Sequence, residues 1–167
     1  DSEILVEKYL QNITEYNCAV RAINEKLEVS EIEKPFSKDE ILSFADKYQR
    51  GGKKATSSGM SSLQRELPAK ISPALKNLIQ ENAKKAFLAC RCKGMVRIDF
   101  MFANDTLFLT EINPIPGSMA FYLWEASGIS FKQQLTELIE QSVIDHRKLT
   151  SVVFDYKSTI VEKFVNS

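Results

Sequence analysis

The sequence predicts an α+β fold, an antiparallel sheet with helices on one face. Strand-like runs crowd the start of the chain, a hairpin apolar on one side lies near residue 100, and a segment of helical periodicity stands on either side of it. The order is strand, strand, strand, helix, hairpin, helix, with no internal repeat.

Ile4–Leu10, Tyr16–Ile23 and Lys26–Ile32 read as the three strands, with Asn24-Glu25 as a tight turn between the last two. From Pro35 to Lys70 the chain carries Gly51, Gly52, Gly59, a serine cluster and the basic run Arg50 to Lys54, which predicts a long mobile loop over 35–70. Lys53 and Lys54 read most simply as solvated charge. Ser72-Pro73 opens a helix, serine as cap and proline at the first helical position. Leu75, Leu78, Ile79, Ala83, Ala86 and Phe87 recur at helical spacing as far as Ala89. A second helix is predicted from Ser130 to His146, with Phe131, Leu135, Leu138, Ile139 and Val143 on one stripe. Val152–Val165 reads as a helix or a strand, within a C-terminal extension over 148–167. His146, the sole histidine, sits in a helical last turn beside Arg147 and Lys148, where cations complement the dipole; that position is structural.

The 167 residues are 44% hydrophobic and 26% charged, enough for one proper core, so 1–167 is read as a single domain. Lys+Arg 22 balances Asp+Glu 22, and the formal net charge is +0, which argues against a general nucleic-acid or membrane-surface binder. No apolar run approaches the roughly 18 to 20 residues of a spanning helix, and no signal peptide is evident. Cys18, Cys90 and Cys92 form no disulfide framework, and Cys90-Arg91-Cys92 lacks the further ligands of a zinc site; reduced thiols in a cytoplasmic protein are expected. Asn12-Ile13-Thr14 and Asn104-Asp105-Thr106 match the glycosylation triplet by chance. The chain starts at Asp1 and enters a strand-like run almost at once, which predicts a piece of a longer protein.

The stretch "RIDFMFANDTLFLTEINPIPG", residues 97 to 117, carries the chemistry. Asn104-Asp105 between β-branched and aromatic residues predicts a hairpin turn. With Asn104-Asp105-Thr106 as a three-residue loop, Ala103 faces Leu107, Met101 faces Leu109 and Asp99 faces Glu111. Alternation then gathers Ile98, Phe100, Phe102, Phe108 and Ile112 on a core face, and Arg97, Asp99, Glu111 and Asn113 on the other. A two-residue loop would split Asp99 from Glu111. Like charges directly opposite repel by a few tenths to about 1 kcal/mol, and either Arg97 or a divalent cation can offset that. Two carboxylates and an amide oxygen make a hard donor set suited to Mg²⁺.

Read in order, "ILVEKYL", "EYNCAVRAI", "ADKY", "LPAKIS", "GMVRIDFMF" and "LTEINPIPG" resemble D-alanine–D-alanine ligases of the ATP-grasp superfamily, from residue 3 to about residue 145. The resemblance implies the C-terminal lobe of such a ligase. The N-terminal domain and the small ATP-grasp lobe would be partners from the same longer chain, small amino acids the other partners, and the full-length protein a homodimer. Asp99, Glu111 and Asn113 match the family's magnesium ligands, Glu111 bridging two ions, with Mn²⁺ an acceptable substitute. Arg97 matches the arginine that stabilises the tetrahedral intermediate, and the Gly117 amide an oxyanion donor. Glu7 and Lys8, with the backbone near Tyr9 and Leu10, match the adenine-binding strand. Glu15 matches the ribose-binding acid, although its spacing from Glu7 is one residue longer than usual. Lys47 and Tyr48 match the mobile loop that closes over the phosphates and excludes water. Ser118, Tyr122 and Leu123 fall at second-substrate positions.

Two departures stand out. Tyr122 stands where the family has a serine that grips the second amino acid's carboxylate, and an unusual "RGGKKATSSG" lies in the Ser43–Leu67 loop. The implied function is an ATP-dependent carboxylate–amine ligase that makes D-alanyl-D-alanine through an acyl phosphate for peptidoglycan precursors. A ligase joining a different amino acid or dipeptide pair, and a non-catalytic nucleotide-binding module, are the alternatives. The 167 residues alone are expected to fold, hold ATP weakly and turn nothing over.

Overall fold

The structure, a computed structural model, describes residues 3, 4, 6–36 and 65–151. Strands β1 (Thr14–Ile23), β2 (Lys26–Val29), β5 (Met95–Ala103) and β6 (Thr106–Asn113) form one antiparallel sheet in the order β2-β1-β5-β6. Strands β3 (Lys34–Pro35) and β4 (Arg65–Glu66) pair separately beside it. Helices α1 (Pro73–Ala89), α2 (Phe121–Ala126) and α3 (Phe131–Thr150) and a four-residue 3-10 turn, Gly117–Ala120, complete the described elements. The α+β prediction holds.

Helix α1 starts as its sequence dictates. Ser72 Oγ accepts the Leu75 N–H at 3.2 Å, and Pro73 stands at the start of the helix. Ile79, Ala83 and Phe87 are buried against Cys18, Val20, Val96, Ile98 and Phe100 of β1 and β5. Full burial of an Ile or Phe side chain is worth about 1.5–3 kcal/mol, so this stripe fixes the helix on the sheet. Leu78, expected on it, is 44% exposed.

The opposite sheet face is half covered. Ala19 and Met95 pack under Ala120, Leu123 and Trp124, so helices lie on both faces rather than one. The short α2 was not anticipated; six residues give too little periodicity to read. Arg21 is almost fully buried there, with its guanidinium 4.7 Å above the Trp124 ring and ion pairs to Glu28 (2.6 Å) and Glu137 (2.7 Å). It ties β1, β2, α2 and α3 together, the arrangement in which a buried charge is tolerated.

Helix α3 begins at the predicted cap, Ser130 Oγ accepting the Gln133 N–H, and runs past His146 to Thr150. Its buried residues correct the predicted stripe. Gln134 and Gln141 face inward, while Phe131, Ile139 and Val143 are exposed. Both glutamines have partners: Gln141 Oε1 accepts the Asn24 N–H at 2.8 Å, and Gln134 donates to buried acceptors described below. A backbone N–H awaiting an acceptor, and a backbone carbonyl and a sulfur awaiting a donor, select these glutamines for the inward face, and of the predicted stripe Leu138 packs against the core beside them.

Three further expectations change or fall away. Ile4–Leu10 is not a strand in its described residues; Ile4, Val6 and Tyr9 are more than four-fifths exposed. Alternation without a neighbouring strand to pair with makes no ladder. Strand β2 stops at Val29 because Ser30 breaks the ladder. The Ala19 N–H donates to Ser30 Oγ (2.8 Å) while the Ser30 N–H returns to the Ala19 carbonyl (2.9 Å), a side chain standing in for a backbone acceptor. Lys47, Tyr48, most of the 35–70 loop and Val152–Val165 lie outside the described residues.

Candidate functional site

The hairpin reaches the predicted Asp99–Glu111 pairing by an unpredicted route, and the predicted Ala103–Leu107 and Met101–Leu109 pairs do not form. Asn104 and Asp105, at φ 50° and 56°, form a two-residue turn with the positive φ values of type I′, so Ala103 pairs with Thr106 and Met101 with Phe108. A bulge between Phe100 and Asp99 then leaves Thr110 unpaired, and beyond it Asp99 faces Glu111, Ile98 faces Ile112 and Arg97 faces Asn113. Thr110 Oγ1 donates to the Asp99 carbonyl at 2.9 Å, which seats the bulge. The cost falls nearer the turn: Leu107, not Phe108, joins the core face, and Phe108 is 37% exposed.

Arg97, Asp99, Glu111 and Asn113 therefore share the open half of the sheet face, with Glu15 and Asn17 of β1 alongside. Asn17 pairs with Asp99, and Glu15 with Met101. A groove of about 250 Å³ is lined by Glu15, Asn17, Asp99, Met101, Thr110 and Glu111. Arg97 grips Asp99 bidentately, Nε to Oδ1 and Nη2 to Oδ2, both at 2.8 Å. That hydrogen bond, ahead of any other effect, pushes the guanidinium further up from its ordinary value. Asn113 Nδ2 adds a bond to Asp99 Oδ2 at 3.2 Å. Among the described residues Glu15 and Glu111 have neither an ion pair nor a hydrogen-bonded side-chain partner.

The donor set suits a hard cation within limits. Asp99 Oδ1 keeps a second lone-pair direction beyond Arg97, whereas Oδ2 already accepts from both Arg97 and Asn113; Glu111 is uncommitted, and Asn113 Oδ1 accepts nothing from the described residues. Glu15 does not converge with them: no three His, Cys, Asp or Glu side chains cluster as a metal site among the described residues. An ion here would lean on two carboxylates and one amide, completed by water or phosphate oxygens.

Beyond β6 the chain makes an uncommon turn. Ser118, Met119 and Ala120 are consecutively left-handed, at φ 52°, 52° and 46°. Non-glycine residues visit that region singly, at about 1–2 kcal/mol each, so three in a row are held by their surroundings. Gly117, just before them, is exposed and does not use the left-handed region. A Cβ there would meet nothing within 4 Å among the described residues, so the fold itself does not demand glycine.

Tyr122 differs from its expected role. Its hydroxyl donates to Glu33 Oε2 at 2.9 Å, and its ring lies 4.4 Å beneath the Arg65 guanidinium. Arg65 Nε in turn pairs with Glu33 Oε1 at 3.3 Å. Burial, then the Glu33 carboxylate, pushes the phenol up to about 12. Glu33 and Arg65 were not foreseen, because the β3–β4 pairing that assembles them spans some thirty residues of irregular sequence.

The other expected residues scatter. Ser118 is exposed beside Gly117. Leu123 is fully buried under Ala19 and Met95, which removes it from the substrate set; its side chain serves the core. Glu7, Lys8 and Tyr9 are exposed and Leu10 partly so, outside any strand. Glu15 lies in the groove with Asp99 and Glu111. The cysteines are free, Cys18 buried and its thiol pushed up to about 12 mainly by desolvation. Among the described residues no helix is long and apolar enough to cross a membrane.

A family described as "D-ala D-ala ligase C-terminus" matches residues 1–140. A D-alanine–D-alanine ligase of Thermosipho melanesiensis is 38% identical over 154 residues, which cover 91% of this chain and 40% of the relative. That of Sulfurimonas denitrificans is 34% identical over 163 residues, 96% of this chain and 42% of the relative. The chain thus spans about two-fifths of the length of the relatives it matches. Among solved structures, the D-alanine–D-alanine ligase of Helicobacter pylori superposes with a TM-score of 0.55 at 28% identity, over 80% of this chain and 32% of that one. A D-alanyl-alanine synthetase A from Vibrio cholerae shares the fold, with a TM-score of 0.62 at 21% identity over 83% and 40%. Matched over most of its length and folded like them, the chain belongs to the D-alanine–D-alanine ligase C-terminal family of the ATP-grasp ligases.

Proposed function

We propose that this chain is the catalytic C-terminal lobe of an ATP-dependent carboxylate–amine ligase that joins two D-alanines for peptidoglycan precursors. The observation that carries the reading is the register of Arg97, Asp99, Glu111 and Asn113 on one open sheet face, with exposed Gly117 and Ser118 a few residues beyond that strand. In the proposed reaction a substrate carboxylate attacks the γ-phosphorus of ATP, releasing ADP and leaving an acyl phosphate. The second amino acid's neutral amine then attacks the acyl carbon, phosphate departs with the C–O bond electrons, and the proton lost by the nitrogen passes to the phosphate or to solvent.

Asp99, Glu111 and Asn113 would hold Mg²⁺ or Mn²⁺, two ions in this reading, which when bound would neutralise phosphate charge. Arg97, fixed by Asp99 and always protonated, stabilises negative charge as it builds at the acyl carbon's oxygen, and the Gly117 amide donates to the same oxygen. Glu15 receives the ribose. Glu7, Lys8, Tyr9 and Leu10 form an adenine-binding edge once the rest of the nucleotide site packs on them. Lys47 and Tyr48 belong to the segment proposed to cover the phosphates. The N-terminal domain and small lobe of a longer, cytoplasmic, homodimeric protein would supply the remaining surfaces.

A second reading, a different second amino acid, is favoured by one contact: the Tyr122 hydroxyl is committed to Glu33 and so is a poor donor to an incoming carboxylate. The test is ADP release by the complete protein with Mg²⁺ and a panel of amino acids. Turnover that requires D-alanine supports the first reading, and turnover with another amino acid alone moves the substrate. Asn113→Ala should remove most of that turnover while the circular dichroism spectrum stays intact, and near-normal turnover would reject the metal assignment.

A further inference from the structure

We propose that Gln134 is a positioning residue for this reaction, anchored on Met95 and holding the left-handed Ser118–Ala120 turn that presents the Gly117 and Ser118 amides. The inference rests on the ligase reading of those amides. Gln134 is fully buried on α3, and its Nε2 donates to the Met119 carbonyl at 2.8 Å and to Met95 Sδ at 3.0 Å. Trp124 Nε1 donates to the same sulfur at 3.1 Å. Met95 stands on β5 two residues before Arg97, so one buried cluster links the strand bearing Arg97 and Asp99 to the turn.

As a core residue Gln134 is a poor choice. Its Oε1 is buried with no donor, and an apolar side chain of equal length would fill the space without that deficit. Its amide is therefore explained by what it holds. The turn is also tied by the Met119 N–H to the Pro116 carbonyl at 2.9 Å, by the Phe121 N–H to Ser118 O and by the packing of Ala120 and Met119 with Met95, Leu123 and Trp124, but Gln134 is the side chain that holds its Met119 carbonyl. No glycine relieves the three left-handed residues. Without the Gln134 amide, the Met119 carbonyl is released and the segment can relax toward right-handed geometry, turning the Gly117 and Ser118 amides away.

The test compares Gln134→Met and Gln134→Glu in the complete protein. Gln134→Met keeps length and packing but donates nothing. It should keep its melting temperature, speed amide exchange at Met119 and Phe121, and lower kcat about tenfold or more, with the KM for ATP changed less than about twofold. Gln134→Glu donates to the Met119 carbonyl only when protonated, so its kcat should fall with rising pH where the parent's does not. That readout also serves if Gln134→Met fails to fold. Unchanged exchange in a folded Gln134→Met protein overturns the proposal, as does accelerated exchange with full kcat. If the parent protein releases no ADP with any amino acid, the ligase reading fails, and the exchange comparison still decides whether Gln134 holds the turn.

Discussion

Arg97 answers the electrostatic question posed by Asp99 and Glu111, but only halfway. Its fork pairs with both oxygens of Asp99, while Glu111 across the ladder keeps an unpaired carboxylate among the described residues. These residues were legible in the sequence because strand alternation is strict: once Arg97 and Asp99 share a face, only the partner strand's register remains to be found. Glu33 and Arg65 were not legible, since neither belongs to a periodic pattern. They make a testable claim about Tyr122. Its phenol is raised from 10.0 to about 12, so the folded protein holds that proton more tightly than the unfolded chain. The resulting stabilisation is complete below pH 10.0 and is lost as pH climbs to about 12. Tyr122→Phe should therefore lose less stability than the parent across that interval, measured as the denaturant midpoint against pH. Tyr16, also raised by burial, leaves a residual slope in both proteins.

At the scale of elements, the helix boundaries marked by Ser72-Pro73 and Ser130 were legible because a capping side chain is a local signal. Inward faces were less so: α3 turns glutamines to the core since backbone groups and a sulfur wait there. The hairpin tests the difference directly. The sequence alone favoured Phe108 as the core residue, and the two-residue turn selects Leu107 instead. Leu107→Ala should cost about 1–3 kcal/mol as a partly buried core deletion, and Phe108→Ala under about 1. Equal costs in equilibrium unfolding, or a larger cost at Phe108, would contradict the observed register.

At the scale of the whole molecule, the sheet carries helices on both faces, and the second layer stops short. Ala19 and Met95 are roofed by α2 and α3, whereas the groove from Glu15 to Glu111 is open. The boundary between roofed and open sheet is where the left-handed turn sits. No pattern within one strand reveals that boundary, because it depends on a six-residue helix and on the buried Arg21 that braces it. A nucleotide in this groove would be contacted from the sheet side by the described residues. The 167 residues alone should thus fold cooperatively yet release no ADP above background with D-alanine and Mg²⁺. Substantial ADP formation by this chain would show that it needs no second surface.

The bulge at Thr110 has a further consequence. Between Asp99 and Glu111 stand eleven residues: four cross-strand couples, two turn residues and one left over. The odd residue can sit beside Asp99, as here, or enlarge the turn, and the two carboxylates still meet. What the chemistry inherits is a count rather than a place. A lineage can move the surplus residue along the hairpin, exchanging one loop for another, and the acids that end it remain face to face.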